Sequence, residues 1–225
     1  MGAVLLAGLL LAGCVKVDQT LTLEADGSGV VQLAFGVSEQ TAAQMDNLAR
    51  ETGIESEQAF PSASSEEDIR QDFKEYEPLG VSLESVQTET IDGWKYRRLK
   101  IRFASLEGLA QTPLMSERPM SLRRLPDGNY ELLQAVSEQV LPETAPDANA
   151  QDFMKGFHAV LRFRMPGTIL ESSAPEHSGN EASWVFDLAQ DPDAIKKAEK
   201  ATIRIVFSGK GLNNIPEFQK TSTDR

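Results

Sequence analysis

The sequence predicts an α+β fold built mainly on antiparallel sheet, with a few amphipathic helices. Three observations lead there. Apolar and polar residues alternate with period two over many short runs, the signature of strands with one buried face. Asp-Gly pairs at 26–27, 92–93 and 127–128 each stand between two such runs, and Asp-Gly favours tight hairpin turns. Helical spacing of apolar residues appears only in short stretches framed by Ser, Asp, Pro or Gly.

The elements follow in chain order. Val15, Val17, Leu21 and Leu23 alternate with Lys16, Asp18, Thr20, Thr22 and Glu24, and after Asp26-Gly27 the pattern returns through Val31, Leu33, Phe35 and Val37. Ser38 is placed to cap a helix carrying Ala42, Met45, Leu48 and Ala49, which Gly53 ends. Residues 55–64 read as a polar loop. A second helix is expected from Glu66 to Tyr76, stopped by Pro78 and Gly80. The next hairpin runs Val81 to Thr90, turns at Asp92-Gly93, and returns from Trp94 to Phe103. Leu99, Ile101 and Phe103 point inward there, with Arg98, Lys100 and Arg102 outward.

A short helix at Leu106–Ala110 leads to a third hairpin, Met120–Leu125 and Tyr130–Val136, around Asp127-Gly128. Residues 138–150 hold two prolines and small polar residues, the composition of a loop. A strand from Phe157 to Met165 follows, closed by Pro166-Gly167. Another contains Trp184, Phe186 and Leu188 after a Ser178-Gly179-Asn180 turn. A helix is expected over Asp191–Lys200 with Pro192 in its first turn. Ile203, Ile205 and Phe207 mark the last strand, and 209–225 reads as a polar tail. The expectation is one antiparallel sheet of about eight strands over residues 14–208, with a helical insertion over 38–78.

Ahead of the first strand, Ala3 to Ala12 reads AVLLAGLLLA, an apolar run of signal-peptide length and too short to span a bilayer. It ends in Leu11-Ala12-Gly13-Cys14, which resembles the lipobox of bacterial lipoproteins. That resemblance implies residues 1–13 as a signal peptide, cleavage before Cys14, a diacylglycerol on its thiol and an acyl chain such as palmitate on the new amino group. Anchors of this kind hold firmly, because each buried methylene adds about 0.8 kcal/mol. The basic residues that usually open a signal peptide do not occur in Met1-Gly2. Val15, rather than Asp, follows the cysteine, and the sorting pattern of enteric lipoproteins then implies an outer-membrane protein facing the periplasm.

The stretch VDQTLTLEADGSGVVQLAFGVSE, residues 17–39, together with Gly179, Trp184 and the strand at 202–207, resembles bacterial envelope lipoproteins of the LppM-like type and related domains of unknown function. The resemblance implies an envelope domain that binds lipid or glycolipid, and it brings no catalytic residue.

The residues themselves point to little chemistry. Cys14 is the one cysteine, so no internal disulfide forms. His158 and His177 are the two histidines and share no metal-ligand spacing, so no metal or cofactor is expected. No Gly-x-Ser-x-Gly elbow occurs. A net charge of -12 argues against nucleic acid, whose phosphates require excess Lys and Arg. Charge is laid out unevenly: Ser38 to Asp92 holds 14 acidic and 3 basic residues, Gly93 to Gln134 holds 4 and 8. Arg98, Lys100, Arg102, Arg162, Arg164 and Arg204 fall on the outward parity of their strands, a candidate face for an anionic headgroup or partner protein, or else a solvated face, or one partly neutralised by the acidic helices. Trp94 and Trp184 are expected in the core, the alternative being an exposed aromatic that lines a lipid pocket. The functional expectation is a lipid-anchored, non-catalytic binding or structural module of the envelope, its partner a lipid, glycolipid or protein. The alternative is a glycan hydrolase using paired carboxylates.

Overall fold

The structure is a computed structural model and describes residues 15–43, 65–115, 120–135, 156–212 and 214–220. It is mostly β. The described strands are β1 (Val15–Leu23), β2 (Gly29–Ser38), β3 (Val81–Ile91), β4 (Trp94–Phe103), β5 (Met120–Arg124), β6 (Tyr130–Ala135), β7 (His158–Arg164), β8 (Ile169–Ser172), β9 (Glu176–Ser178), β10 (Glu181–Asp187), β11 (Thr202–Phe207) and β12 (Phe218–Lys220). The described helices are short: α1 (Glu66–Lys74), α2 (Leu106–Ala110) and α3 (Ala194–Lys200).

Two sheets replace the expected single one. Seven strands run in the order β3-β4-β2-β1-β7-β10-β9, and five in the order β12-β5-β6-β11-β8. The first sheet is mixed, because β1 pairs antiparallel with β2 but parallel with β7. Parallel pairing joins strands far apart in the chain and leaves no turn motif to read. Three short strands (β8, β9 and β12) fall below the length at which alternation is visible.

The core is one cluster fed by both sheets. Leu21, Leu23, Val31, Ile101, Phe103 and Phe163 come from the larger sheet, Leu132, Ile203, Ile205 and Phe207 from the smaller. Trp184 is buried there, edge-on to Phe163 with ring centroids 5.6 Å apart. Fully burying a large apolar side chain contributes about 1.5–3 kcal/mol, so this cluster dominates the stabilising side.

Local chemistry sets the turns. Asp92 and Gly93 have φ of 51° and 74°, the left-handed pair that a two-residue type I′ hairpin needs to bring Ile91 opposite Trp94. Around Asp26-Gly27 and Asp127-Gly128 the connections are longer. Gly27 N–H donates to Glu24 C=O and Gly128 N–H to Leu125 C=O. α1 opens on a capping box, in which Ser65 Oγ accepts from Asp68 N–H while the Asp68 carboxylate accepts from Ser65 N–H. It ends at Lys74, short of the expected Tyr76, and a 3₁₀ turn with Pro78 leads to Gly80 at φ 74°. Thr41 N–H donates to Ser38 Oγ, a cap at the start of the helical turn 39–43, whose expected continuation to Ala49 lies outside the described residues. The loops expected at 55–64 and 138–150 lie outside them too. α3 begins at Ala194 rather than Asp191, because residues 187–194 are taken up by turns in which Asp191 N–H donates to Asp187 C=O and Ala194 N–H to Asp191 C=O.

The segment read as a polar tail belongs partly to the fold. Ile215 is buried, its N–H donates to the Tyr130 hydroxyl, and β12 pairs with β5. Two apolar residues, Ile215 and Phe218, separated by Pro216 and Glu217 carry too little periodicity to mark a strand.

Candidate functional site

The candidate basic face divides between the two sheets. Arg98, Lys100 and Arg102 lie on β4 and Arg162 and Arg164 on β7, all on the outer face of the seven-stranded sheet. β2 and β1 stand between those strands. Register places Lys100 in one row with Gln32, Thr20 and Arg162, and Arg102 in the next with Val30, Thr22 and Arg164. Arg204 lies on β11, in the other sheet.

Each of these cations has a carboxylate partner. Arg98 pairs with Glu89, Arg162 with Asp18 at 2.7 Å and Arg164 with Glu181 at 2.7 Å. The β3 strand bulges between Leu83 and Ser85, which turns Glu84 outward between Lys100 at 2.7 Å and Arg102 at 3.2 Å. The Lys100 ammonium in particular holds the Glu84 carboxyl below the usual carboxylate range. Acids and bases therefore alternate across this face. Strand parity identifies the cations but not their partners Asp18, Glu84, Glu89 and Glu181, because which residue meets which depends on registers that local pattern does not fix.

Arg204 belongs to a separate ladder across the smaller sheet. Its Nε donates to Glu131 Oε1 at 2.8 Å and its Nη1 to Glu171 Oε2 at 2.8 Å, while Arg123 Nε donates to Glu131 Oε2 at 2.6 Å. Glu131 is 3% exposed. Burial pushes its carboxyl pKa up, but the two guanidinium groups outweigh that and hold it below the ordinary value. Glu131 and Glu171 thus converge on one arginine, and the depressed Glu131 is the opposite of a general acid, which needs a raised pKa. Beside this ladder, between β5 and β12, lies an open depression of about 400 Å³ bordered by Arg123, Leu133 and Phe218.

A third cluster lies where β1 begins, and it contains Trp94, which is expected in the core. Trp94 is half-buried on the outer face rather than in the interior. Its ring stacks on Tyr96, centroids 6.2 Å apart and planes 24° apart, and Lys16 Nζ sits 3.7 Å from its centroid. The Tyr96 ring lies flat over Gly36, where a Cβ would come within 2.6 Å of it. The Arg98 guanidinium lies 5.3 Å from the other end of this stack, over Tyr96. The register Lys16–Gly36–Tyr96 creates this group, and it spans three strands that only the folded sheet brings together.

Leu11, Ala12, Gly13 and Cys14 lie outside the described residues. The described chain starts at Val15, already buried and paired with Val37. Among the described residues no group of three or more His, Cys, Asp or Glu side chains is arranged to hold a metal ion, and no helix is long and apolar enough to cross a membrane. His158 Nδ1 lies 3.5 Å from Asp187, and His177 is exposed on β9.

No family model matches the chain, and no curated protein matches it. Among solved structures it is similar to the folded domain of the Mycobacterium tuberculosis protein LppM, determined by NMR, at 13% identity and a TM-score of 0.48, over 92% of this chain and 95% of that one. A likeness this distant transfers no residue roles.

Proposed function

We propose that the chain is a lipid-anchored protein of the bacterial envelope, acylated on Cys14, with a non-catalytic binding or structural role. The observation that carries this reading is adjacency: the lipobox-like Leu11-Ala12-Gly13-Cys14 runs directly into a strand that is buried and paired from its first residue, Val15. With no tether between anchor and fold, the domain sits against its membrane. Val15 after the cysteine favours the periplasmic side of an outer membrane. The module's partner is a lipid, glycolipid or envelope protein. The outer sheet face suits a polar partner, because its charges of both signs are fixed in register by neighbouring strands.

Fractionation of cells expressing the chain from its own start tests this. The wild type is expected with the membranes and Cys14→Ser in the soluble fraction, with both folded. Equal membrane association of the two would remove the anchor.

A further inference from the structure

The end of the larger sheet nearest residue 14 has a composition unlike the rest of the outer face. Val15 is level with Val37 and Lys95, so Trp94 and the turn before it reach at least as far toward that end as the first residue of β1. Ile91, at the tip of the β3–β4 hairpin, is 44% exposed. Beside it stand Trp94, Tyr96 and Lys16, stacked as described. The tip is rigidly placed, because Glu39 N–H donates to Gly93 C=O at 2.9 Å and ties the turn to the end of β2.

Aromatic side chains with one apolar and one polar end collect where water meets acyl chains. Lysine joins them there by laying its methylenes on apolar surface and raising its ammonium to the headgroups. Around the hairpin tip Lys16 and Lys95 stand against Asp92 and Glu39. Electrostatic attraction to anionic lipid is therefore not what would draw it in, and a zwitterionic surface suffices.

Covalent geometry sets the distance. A lipid on residue 14 starts one Cα–Cα step, about 3.8 Å, from Val15. β4 lies two strands from β1, about 10 Å across the sheet. Chains held at residue 14 therefore bring the hairpin tip to the headgroup layer without a change of fold.

We infer that Ile91, Trp94, Tyr96 and Lys16 form a rim on which the domain rests against a zwitterionic phospholipid surface, Ile91 and Trp94 entering the interface. This rests on the lipid-anchor reading. It fixes how the domain stands on the bilayer, with the larger sheet end-on and its ion-paired face turned to the side, open to a partner.

Trp94 and Trp184 are the two tryptophans, which makes the test spectroscopic. The protein is purified from membranes after expression of the full chain, its N-terminal peptide weighed, and the protein reconstituted in phosphatidylcholine vesicles with or without bromine on the acyl chains. Wild type, Trp94→Phe and Trp184→Phe are compared. The expected result is an acylated Cys14 and bromolipid quenching in wild type and Trp184→Phe that is lost in Trp94→Phe. If Trp184→Phe fails to fold, the wild type and Trp94→Phe comparison carries the same information. Acylated protein whose Trp94 emission ignores bromolipid overturns the rim and leaves the anchor standing. Protein without acylation overturns the anchor, and the rim with it.

Discussion

Lys16 Nζ stands 3.7 Å from the centre of the Trp94 ring, so the first strand of the domain is joined to the hairpin tip of β4 by a cation–π contact on the outer face. Lys16→Ala removes that contact while keeping the β1 backbone. A half-exposed contact of this type contributes about 0.5–1 kcal/mol. Urea denaturation should show a loss of that size with an unchanged m-value, and Trp94 emission should shift to the red as its ring is wetted.

Glu131 should make stability fall in acid. Burial raises its pKa, and the stronger pull of Arg123 and Arg204 lowers it overall. With the folded value depressed below the unfolded one of about 4.3, its contribution is complete above that pH and disappears as pH falls through the folded value. Glu131→Gln should cost about 1.5–3 kcal/mol at pH 7, the worth of hydrogen bonds to a charged group, and should flatten the acid limb of a melting profile between neutral pH and pH 3. An acid limb as steep as the wild type's would assign it to other carboxylates.

Gln134 points into the smaller sheet's interior, 2% exposed. Its Nε2 reaches only Met115 Sδ, at 3.6 Å, and its Oε1 has no hydrogen-bond partner among the described residues. A buried carbonyl without a donor costs about 1–3 kcal/mol. Gln134→Met keeps the volume and removes the polar group. A thermal melt should rise by roughly 2–4 °C for each kcal/mol recovered in a domain of this size. A lower melting temperature would mean that the carboxamide is satisfied in solution.

Arg162 and Arg164 face Asp18 and Glu181. Reversing both to Glu places like charges beside each other on neighbouring strands, diagonally at Asp18 and directly opposite at Glu181. Since each pair is partly exposed, the expected loss is about 1 kcal/mol in total, easing at high salt. Because these cations are already paired, retention on anionic vesicles by an anchored protein should not change. A large drop in such binding at unaltered stability would instead support the face as an anionic-ligand site.

Much of the fold is legible in the sequence, and the part that is not has a physical cause. Leu99, Ile101 and Phe103 against Arg98, Lys100 and Arg102 declare their faces by alternation alone. Asp92-Gly93 declares its turn because few other pairs adopt two left-handed conformations cheaply. The parallel pairing of β1 with β7 is invisible, since Leu21 opposite Phe163 is a contact between residues far apart in the chain. The candidate site divides in the same way. The cations are named by strand parity, but whether they form a free basic field or an ion-paired one depends on Asp18, Glu84 and Glu181, which only register brings alongside. Trp94 is expected in the interior because large aromatics usually are, but it shares the strand parity of Arg98, Lys100 and Arg102 and so lies on the outer face, stacked on Tyr96.

The mass of the amino-terminal peptide, taken from protein made in a bacterial host with lipoprotein processing, tests the anchored reading most directly. The account predicts that the chain begins at Cys14 and carries the added mass of a diacylglycerol and a further acyl group. A peptide that still contains residues 1–13, or one that begins at Cys14 with a free thiol, would contradict it.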